Sequence, residues 1–174
     1  GFAFGDRVYN NATGDYIISP GTMAIDSPAT TIIMEAAKQK IPILGICNGF
    51  QILTQLGLLP GELLLNNYKR FVCKEVNCVV NFNSENYNYT GNTQLYIANS
   101  YGKYSIDAKI YTELNRNNQF FLKYDQPLCD IDSFDNIAGV CNEDKTIFGM
   151  MPHPERTKHN SDFKAIFMNI LLNN

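Results

Sequence analysis

The stretch Gly45-Ile46-Cys47-Asn48-Gly49 decides the fold prediction, because it has the form of a tight turn between a strand and a helix. The apolar run at 41–44 precedes it and is typical of a buried strand. Residues 50–56 follow with apolar side chains at helical spacing, and Gly57 is a natural helix stop. Glycine two residues to either side of Cys47 leaves room for a strained turn, as in the Gly-x-Ser-x-Gly motif. The pentapeptide therefore predicts a nucleophile elbow.

Cys47 is the candidate nucleophile of this elbow. The predicted helix would begin just after it, where partial positive charge and backbone N–H groups favour a thiolate over a thiol. A lone buried cysteine is more often a small, inert apolar residue. The glycine frame after an apolar strand favours the reactive interpretation.

His153 is the candidate general base. It lies between Pro152 and Pro154, and prolines push the residues before them toward extended conformations. Glu155 should then point to the same side as His153 and hold its imidazole by a hydrogen bond. The other histidine, His159, lies in a polar stretch and is interpreted as a solvated loop residue. Together, Cys47, His153 and Glu155 have the composition of a nucleophile, base and orienting carboxylate.

Four segments carry a resemblance to a known family. The chain resembles class I (triad) glutamine amidotransferases and, more narrowly, the glutaminase subunit of phosphoribosylformylglycinamidine synthase. Residues 135–142 and 149–156 are similar to its Asn-Ile-Ala-Gly-Ile-Cys-Asn strand and its C-terminal Pro-His-Pro-Glu segment. Residues 45–61 and 1–6 are similar to its active-site segment and its Gly-Gly-Phe loop.

This resemblance implies a definite chemistry. Cys47 would attack the side-chain amide of glutamine to give a thioester and ammonia, with proton transfer by His153 and orientation by Glu155. The backbone N–H of Asn48 would stabilise the oxyanion, together with a second donor from the loop around Gly1 and Phe2.

Further substrate-binding residues follow from the same resemblance. Gln51 matches a family position that contacts bound glutamine. The segment 97–104 stands where the family has Ile-Ala-His-Gly-Glu-Gly-Asn-Tyr, and it adds Asn99 and Ser100 to the substrate-binding candidates. Asn99 and Tyr101 replace the family's histidine and glutamate, so we expect a difference in the glutamine pocket or at the subunit interface.

Composition limits the partners and cofactors. A net charge of −3 and a pI near 5.3 argue against a nucleic-acid partner, and no apolar run is long enough to span a membrane. The odd count of five cysteines suits a reduced, cytoplasmic protein without a disulfide framework. No metal site is expected, and the chain has no phosphate-binding Gly-x-x-x-x-Gly-Lys loop. The resemblance places ATP and Mg²⁺ on a separate synthetase subunit, joined by a possible small bridging subunit.

The predicted fold class is α/β, with an open, mostly parallel, flavodoxin-like sheet flanked by helices and some antiparallel strands. Residues 1–174 are expected to form one domain, without the strands with which the family domain begins. Ser27 and Pro28 predict a helix through about Lys38. A last helix is predicted over 162–172. Strands are predicted over 41–46, 71–80, 93–98, 119–124, 136–141 and 146–150, with a turn over 81–92.

Two other functions remain open from the sequence. One is a cysteine hydrolase or peptidase-like protein on the same sheet, which typically lacks Pro-His-Pro-Glu. The other is a non-catalytic interaction subunit, which the departures at Asn99 and Tyr101 make plausible. Glutamine turnover separates the amidotransferase from the hydrolase, and turnover that depends on a synthetase partner separates it from the non-catalytic subunit.

Overall fold

The computed structural model describes residues 9–10, 17–18, 21–84, 87–156 and 168. The helices are α1 (Pro28–Lys38), α2 (Asn48–Gln55) and α3 (Ala108–Arg116), with short 3-10 turns at Thr22–Ala24, Phe134–Asn136 and Pro154–Arg156. The strands are β1 (Tyr9–Asn10), β2 (Ile17–Ile18), β3 (Ile43–Ile46), β4 (Glu62–Leu64), β5 (Val72–Asn83), β6 (Asn88–Asn99), β7 (Lys103–Ser105), β8 (Leu122–Tyr124), β9 (Ile137–Cys141) and β10 (Ile147–Met150).

The described strands form one main sheet in the order β3-β10-β9-β8-β5-β6. The α/β class is confirmed, but the pairing differs from the predicted mostly parallel sheet. In the described part of the chain, β3–β10 is the one parallel pair of this sheet, and the other four pairs are antiparallel. The connections explain this mixture, because short turns such as those joining β5 to β6 and β9 to β10 permit only antiparallel neighbours.

The six predicted strands and the first helix are confirmed within a few residues of their predicted ends. The Ser27 hydroxyl caps α1 by accepting a hydrogen bond from the Ala29 N–H at 3.3 Å. The predicted turn over 81–92 is too long, since β5 continues to Asn83 and β6 begins at Asn88. Phe82 is 1% exposed, so its burial in the core extends the hairpin through a polar stretch.

Two features were missing from the sequence-based prediction. Helix α3 is capped by Asp107, whose carboxylate accepts hydrogen bonds from the N–H groups of Lys109 and Ile110, both at 2.9 Å. A small antiparallel sheet pairs β4 with β7. The segments that follow β4 and precede β7 meet through hydrogen bonds of Asn66 with Ser100 and Gly102.

The two faces of the main sheet pack into separate apolar clusters. One cluster joins α2 to the sheet through residues such as Phe50, Leu53 and Ile147. The other contains Phe82 and Phe148 on the opposite face. Helix α2 is therefore fixed on the β3–β10 pair, and its N-terminus lies at the carboxyl ends of both strands.

Some predictions fall outside the described residues. These are the terminal helix over 162–172, of which Met168 alone is described, the solvated position of His159, and the loop containing Gly1 and Phe2. The assignment of residues 1–174 to a single domain stays a prediction.

Candidate active site

Cys47 occupies the strained turn that the pentapeptide predicts. It lies between β3 and α2, where it is the N-cap residue with φ 52° and ψ −105°. A non-glycine residue in such a conformation costs about 1–3 kcal/mol, and such strain is concentrated at functional sites. The Cys47 N–H donates to the Met150 carbonyl at 2.7 Å, so the turn is tied to the end of β10.

The two glycines of the elbow have different roles. A Cβ atom at Gly45 would lie 2.7 Å from the carbonyl carbon and oxygen of Gly49 and 2.6 Å from Leu53 Cδ1. A Cβ atom at Gly49 would meet no atom of the described residues within 4 Å. The expectation that both glycines leave room for the turn therefore holds for Gly45, while Gly49 contributes through its closely approached backbone.

The Cys47 side chain is buried beneath β6. Its residue is 0% exposed, and Sγ lies 3.7 Å from the Ala98 carbonyl oxygen, to which the thiol donates. This contact places the candidate nucleophile at the carboxyl end of strand β6, immediately before Asn99.

His153 reaches the same part of β6 through its backbone. It follows β10 by three residues, and its N–H donates to the Tyr96 carbonyl at 2.7 Å. Cys47 and His153 thus contact β6 at carbonyls only two residues apart. Because β3 and β10 are parallel neighbours with Ile46 opposite Met150, both side chains come from carboxyl ends at one edge.

Glu155 holds the imidazole as the sequence predicts. Its Oε1 lies 2.6 Å from His153 Nδ1. Burial lowers the pKa of His153 below its usual value of 6.5, although the hydrogen bond and charge of Glu155 oppose this effect. Burial acts to raise the pKa of Glu155, but the hydrogen bond from His153, a backbone hydrogen bond and the charge of His153 together outweigh it and lower this pKa from its usual value. At neutral pH the pair is a neutral imidazole that donates from Nδ1 to a carboxylate, with the ring lone pair on Nε2.

The predicted substrate-binding residues of α2 form a buried amide chain. Asn48 is the first residue of α2, and its backbone N–H therefore belongs to the helix N-terminus, beside Cys47. The Asn48 side chain donates from Nδ2 to Gln51 Oε1 at 2.9 Å. Gln51 in turn donates from Nε2 to the Tyr101 carbonyl at 2.8 Å. The segment at 97–104 consequently lies against helix α2.

Asn66 is a site residue that the sequence analysis missed. It is 1% exposed, and its N–H donates to the Ser100 carbonyl at 2.8 Å. Its Nδ2 lies 2.9 Å from the Asn99 carbonyl oxygen. Of the predicted residues, Asn48, Gln51, Asn99 and Ser100 are therefore brought together near Cys47, whereas Gly1 and Phe2 lie outside the described residues.

Within the described residues, no group of three or more histidine, cysteine, aspartate or glutamate side chains is placed to hold a metal ion. In the same part of the chain, no helix is long and apolar enough to cross a membrane.

Comparisons with known proteins agree with this geometry. The family model for the CobB/CobQ-like glutamine amidotransferase domain matches residues 33–167, a range that contains Cys47, His153 and Glu155. Phosphoribosylformylglycinamidine synthase subunit PurQ from Staphylococcus saprophyticus is 44% identical over 148 residues, which are 82% of this chain and 65% of that protein. The subunit of the same name from Wolinella succinogenes is 44% identical over 147 residues, 82% of this chain and 66% of that protein.

A solved structure is also similar. The structure of PurLQS from Thermotoga maritima superposes with a TM-score of 0.72 and 36% sequence identity, covering 91% of this chain and 74% of that one. The chain spans about two thirds of the length of the curated relatives that it matches. These matches give no support to a peptidase-like protein or to a non-catalytic subunit. The resemblance noted in the sequence is confirmed, and the chain belongs to the CobB/CobQ-like glutamine amidotransferase family.

Proposed function

We propose that this chain is the glutaminase subunit of phosphoribosylformylglycinamidine synthase, which hydrolyses glutamine to glutamate and ammonia. The observation that carries the proposal is that Cys47, in a strained elbow, and the His153–Glu155 pair both follow the carboxyl ends of the paired strands β3 and β10. The similarity to two PurQ subunits supports the narrower assignment.

The proposed first step is attack by Cys47 Sγ on the side-chain amide carbon of glutamine. Nε2 of His153 takes the thiol proton and delivers it to the leaving nitrogen, so that a C–S bond forms, the C–N bond breaks and ammonia departs. Water then attacks the thioester carbon while His153 accepts its proton; the C–S bond breaks, Cys47 Sγ takes that proton back from His153, and glutamate is released. Glu155 holds the ring and stabilises the imidazolium formed between the two transfers.

The oxyanion formed in each step needs hydrogen-bond donors. The N–H of Asn48, at the start of α2, is the proposed first donor, because the helix N-terminus favours negative charge. The loop containing Gly1 and Phe2 is the proposed source of a second donor. Gln51, Asn99 and Ser100 are proposed to contact the bound glutamine, and they lie around the same elbow.

The proposed destination of the ammonia is a separate synthetase subunit, which uses ATP and Mg²⁺ to convert formylglycinamide ribonucleotide to formylglycinamidine ribonucleotide. The similar structure is one of PurLQS, and the curated relatives are named as subunits, which supports an assembly with a synthetase and a small bridging subunit. We propose no cofactor for the chain itself and a cytoplasmic location. The odd count of five cysteines fits a reducing compartment.

Mass spectrometry after treatment with a glutamine-mimicking electrophile tests the proposal. Diazo-oxo-norleucine should add once to the full-length protein, and excess glutamine should prevent the addition. The Cys47→Ala variant should remain unlabelled, while Cys73→Ala, which changes an exposed cysteine of β5, should label as the unaltered protein does. Labelling that glutamine does not prevent, or that persists in Cys47→Ala, would contradict the proposed site.

A further inference from the structure

Residues Asn99–Gly102, here named the 99–102 turn, are held by hydrogen bonds from Asn66. The Asn66 N–H donates to the Ser100 carbonyl, and Asn66 Oδ1 accepts from the Gly102 N–H, both at 2.8 Å. Asn66 Nδ2 lies 2.9 Å from the Asn99 carbonyl oxygen and 3.1 Å from Asn99 Oδ1. One buried residue therefore contacts three of the four residues of the turn.

This network fixes which way the Asn99 amide faces. A backbone N–H can only donate, so the Asn66 atom that faces Gly102 must be its oxygen. The other Asn66 atom is then a nitrogen, which requires an acceptor, and Asn99 must turn Oδ1 toward it. Asn99 consequently directs Nδ2 elsewhere, and this buried donor has no hydrogen-bond partner among the described residues.

Helix α2 also contacts the 99–102 turn. Gln51 Nε2 donates to the Tyr101 carbonyl, while Asn48 Nδ2 fixes the Gln51 amide by donating to its oxygen. The turn thus lies between two buried amides, one on the nucleophile's helix and one in the loop after β4. Its position relative to Cys47 depends on both of them.

Close packing leaves the turn little freedom. A Cβ atom at Gly102 would lie 2.2 Å from Asn99 Oδ1, so the backbone of Gly102 passes directly over the Asn99 amide. A side chain at this position would displace the Asn99 amide or the backbone at Gly102. Gly102 and the Asn66 hydrogen bonds therefore together hold the 99–102 turn in one conformation.

We propose that Asn66 is a positioning residue for the glutamine pocket, which fixes the 99–102 turn so that Asn99 offers its Nδ2 donor to an acceptor group of bound glutamine. This inference rests on the proposed glutaminase function. It assigns to Asn66 an effect on glutamine binding and none on the chemistry at Cys47, because no Asn66 atom contacts Cys47, His153 or Glu155 in the hydrogen bonds described above.

The test separates binding from reactivity in the full-length protein. Rates of inactivation by diazo-oxo-norleucine are measured against its concentration, and the rate of Cys47 alkylation by iodoacetamide, which needs no glutamine pocket, is measured in parallel. Asn66→Ala should raise the half-saturating concentration of diazo-oxo-norleucine about tenfold, as expected for a lost buried hydrogen-bond contact. Its maximal inactivation rate and its iodoacetamide rate should change by less than about twofold.

The neighbouring Asn67 provides a matched control. Its exposed side chain also donates to a carbonyl, that of Cys129, at 3.0 Å. Asn67→Ala should therefore leave the half-saturating concentration of diazo-oxo-norleucine and the rate of iodoacetamide alkylation unchanged. Gly102→Ala gives a second route to the same displacement without altering Asn66, and it should raise the half-saturating concentration in the same way.

The outcomes divide clearly. An unchanged half-saturating concentration in folded Asn66→Ala or Gly102→Ala would overturn the role of Asn66, and so would an equal loss of iodoacetamide reactivity. Absence of glutamine-protected labelling in the unaltered protein would instead overturn the proposed function, on which the inference rests.

Discussion

Gly45 and Gly149 are register partners in the parallel β3–β10 pair, and both lie directly beneath helix α2. A Cβ atom at Gly149 would lie 2.1 Å from Phe50 Cδ2, and one at Gly45 would meet the backbone of Gly49. The absence of side chains at these two positions lets α2 approach the sheet closely. This approach fixes the start of the helix, and hence Cys47, at the end of β3.

Gly45→Ala should therefore disturb the elbow itself. The new methyl group would contact backbone atoms that cannot rotate away, so we expect the free energy of unfolding to fall by about 1–3 kcal/mol, as in other overpacked cores. Labelling of Cys47 by diazo-oxo-norleucine should fall with it. Chemical denaturation and intact-mass measurements check both effects. Gly49→Ala is the control, and its free energy of unfolding should change by less than about 1 kcal/mol.

Gly149→Ala should act on stability through side chains. The atoms nearest the new methyl group belong to Phe50 and Leu59, which can move only by repacking the cluster around α2. We expect a loss of about 1–3 kcal/mol in the free energy of unfolding, measured by denaturant titration. A stability equal to that of the unaltered protein would show that α2 does not lie on β10 as described.

Glu155→Gln should lower the pKa of His153 further. Burial already depresses this pKa, and the carboxylate of Glu155 is the group that opposes the depression. Without the negative charge, the imidazole should lose its proton at a lower pH. The NMR titration of the His153 ring measures this directly, with His153→Gln used to distinguish its signal from that of His159. A shift of the midpoint to higher pH would contradict the described contact.

The same substitution should slow glutamine hydrolysis. A mispositioned base that cannot be stabilised as imidazolium loses much of the general acid–base contribution, which is typically about 10²–10⁴-fold. We expect kcat in the assembled synthase to fall by about a hundredfold or more, with a much smaller change in KM for glutamine. Steady-state assays of glutamate release check this expectation. Equal kcat values would remove Glu155 from the proposed triad.

Asp107→Ala should destabilise helix α3 without affecting the site. The lost cap leaves the N–H groups of Lys109 and Ile110 without their described acceptor, at a cost of about 1 kcal/mol. Thermal unfolding measures this loss. Asp144→Ala is a suitable control, because its ion pair with Lys40 is exposed and should contribute no more than about 1 kcal/mol.

The sequence alone predicts those features of the fold and the site that depend on residues close together in the chain. The elbow, the proline-bracketed His153 and the Glu155 contact depend on residues close together in the chain, and the structure has them as predicted. Helix α3 was missed, although Asp107 followed by Ile110 and Leu114 carries a cap and apolar spacing.

Other features depend on contacts between distant segments. Nothing local marks Asn66, because its importance comes from three residues, Asn99, Ser100 and Gly102, that follow it by more than 30 positions. The polar stretch from Asn81 to Asn92 predicts a turn, but pairing across the hairpin and burial of Phe82 override its weak strand propensity. Tertiary packing decides both cases.

The most direct test of the account compares glutamine with ammonia as the nitrogen source for the assembled synthase. With ATP, Mg²⁺ and formylglycinamide ribonucleotide present, Cys47→Ala should abolish synthesis from glutamine and leave synthesis from added ammonium salt unchanged. That result would place glutamine cleavage at Cys47 and the ATP-dependent step on the partner. Continued synthesis from glutamine by Cys47→Ala would contradict the central claim that this cysteine is the nucleophile of a glutaminase.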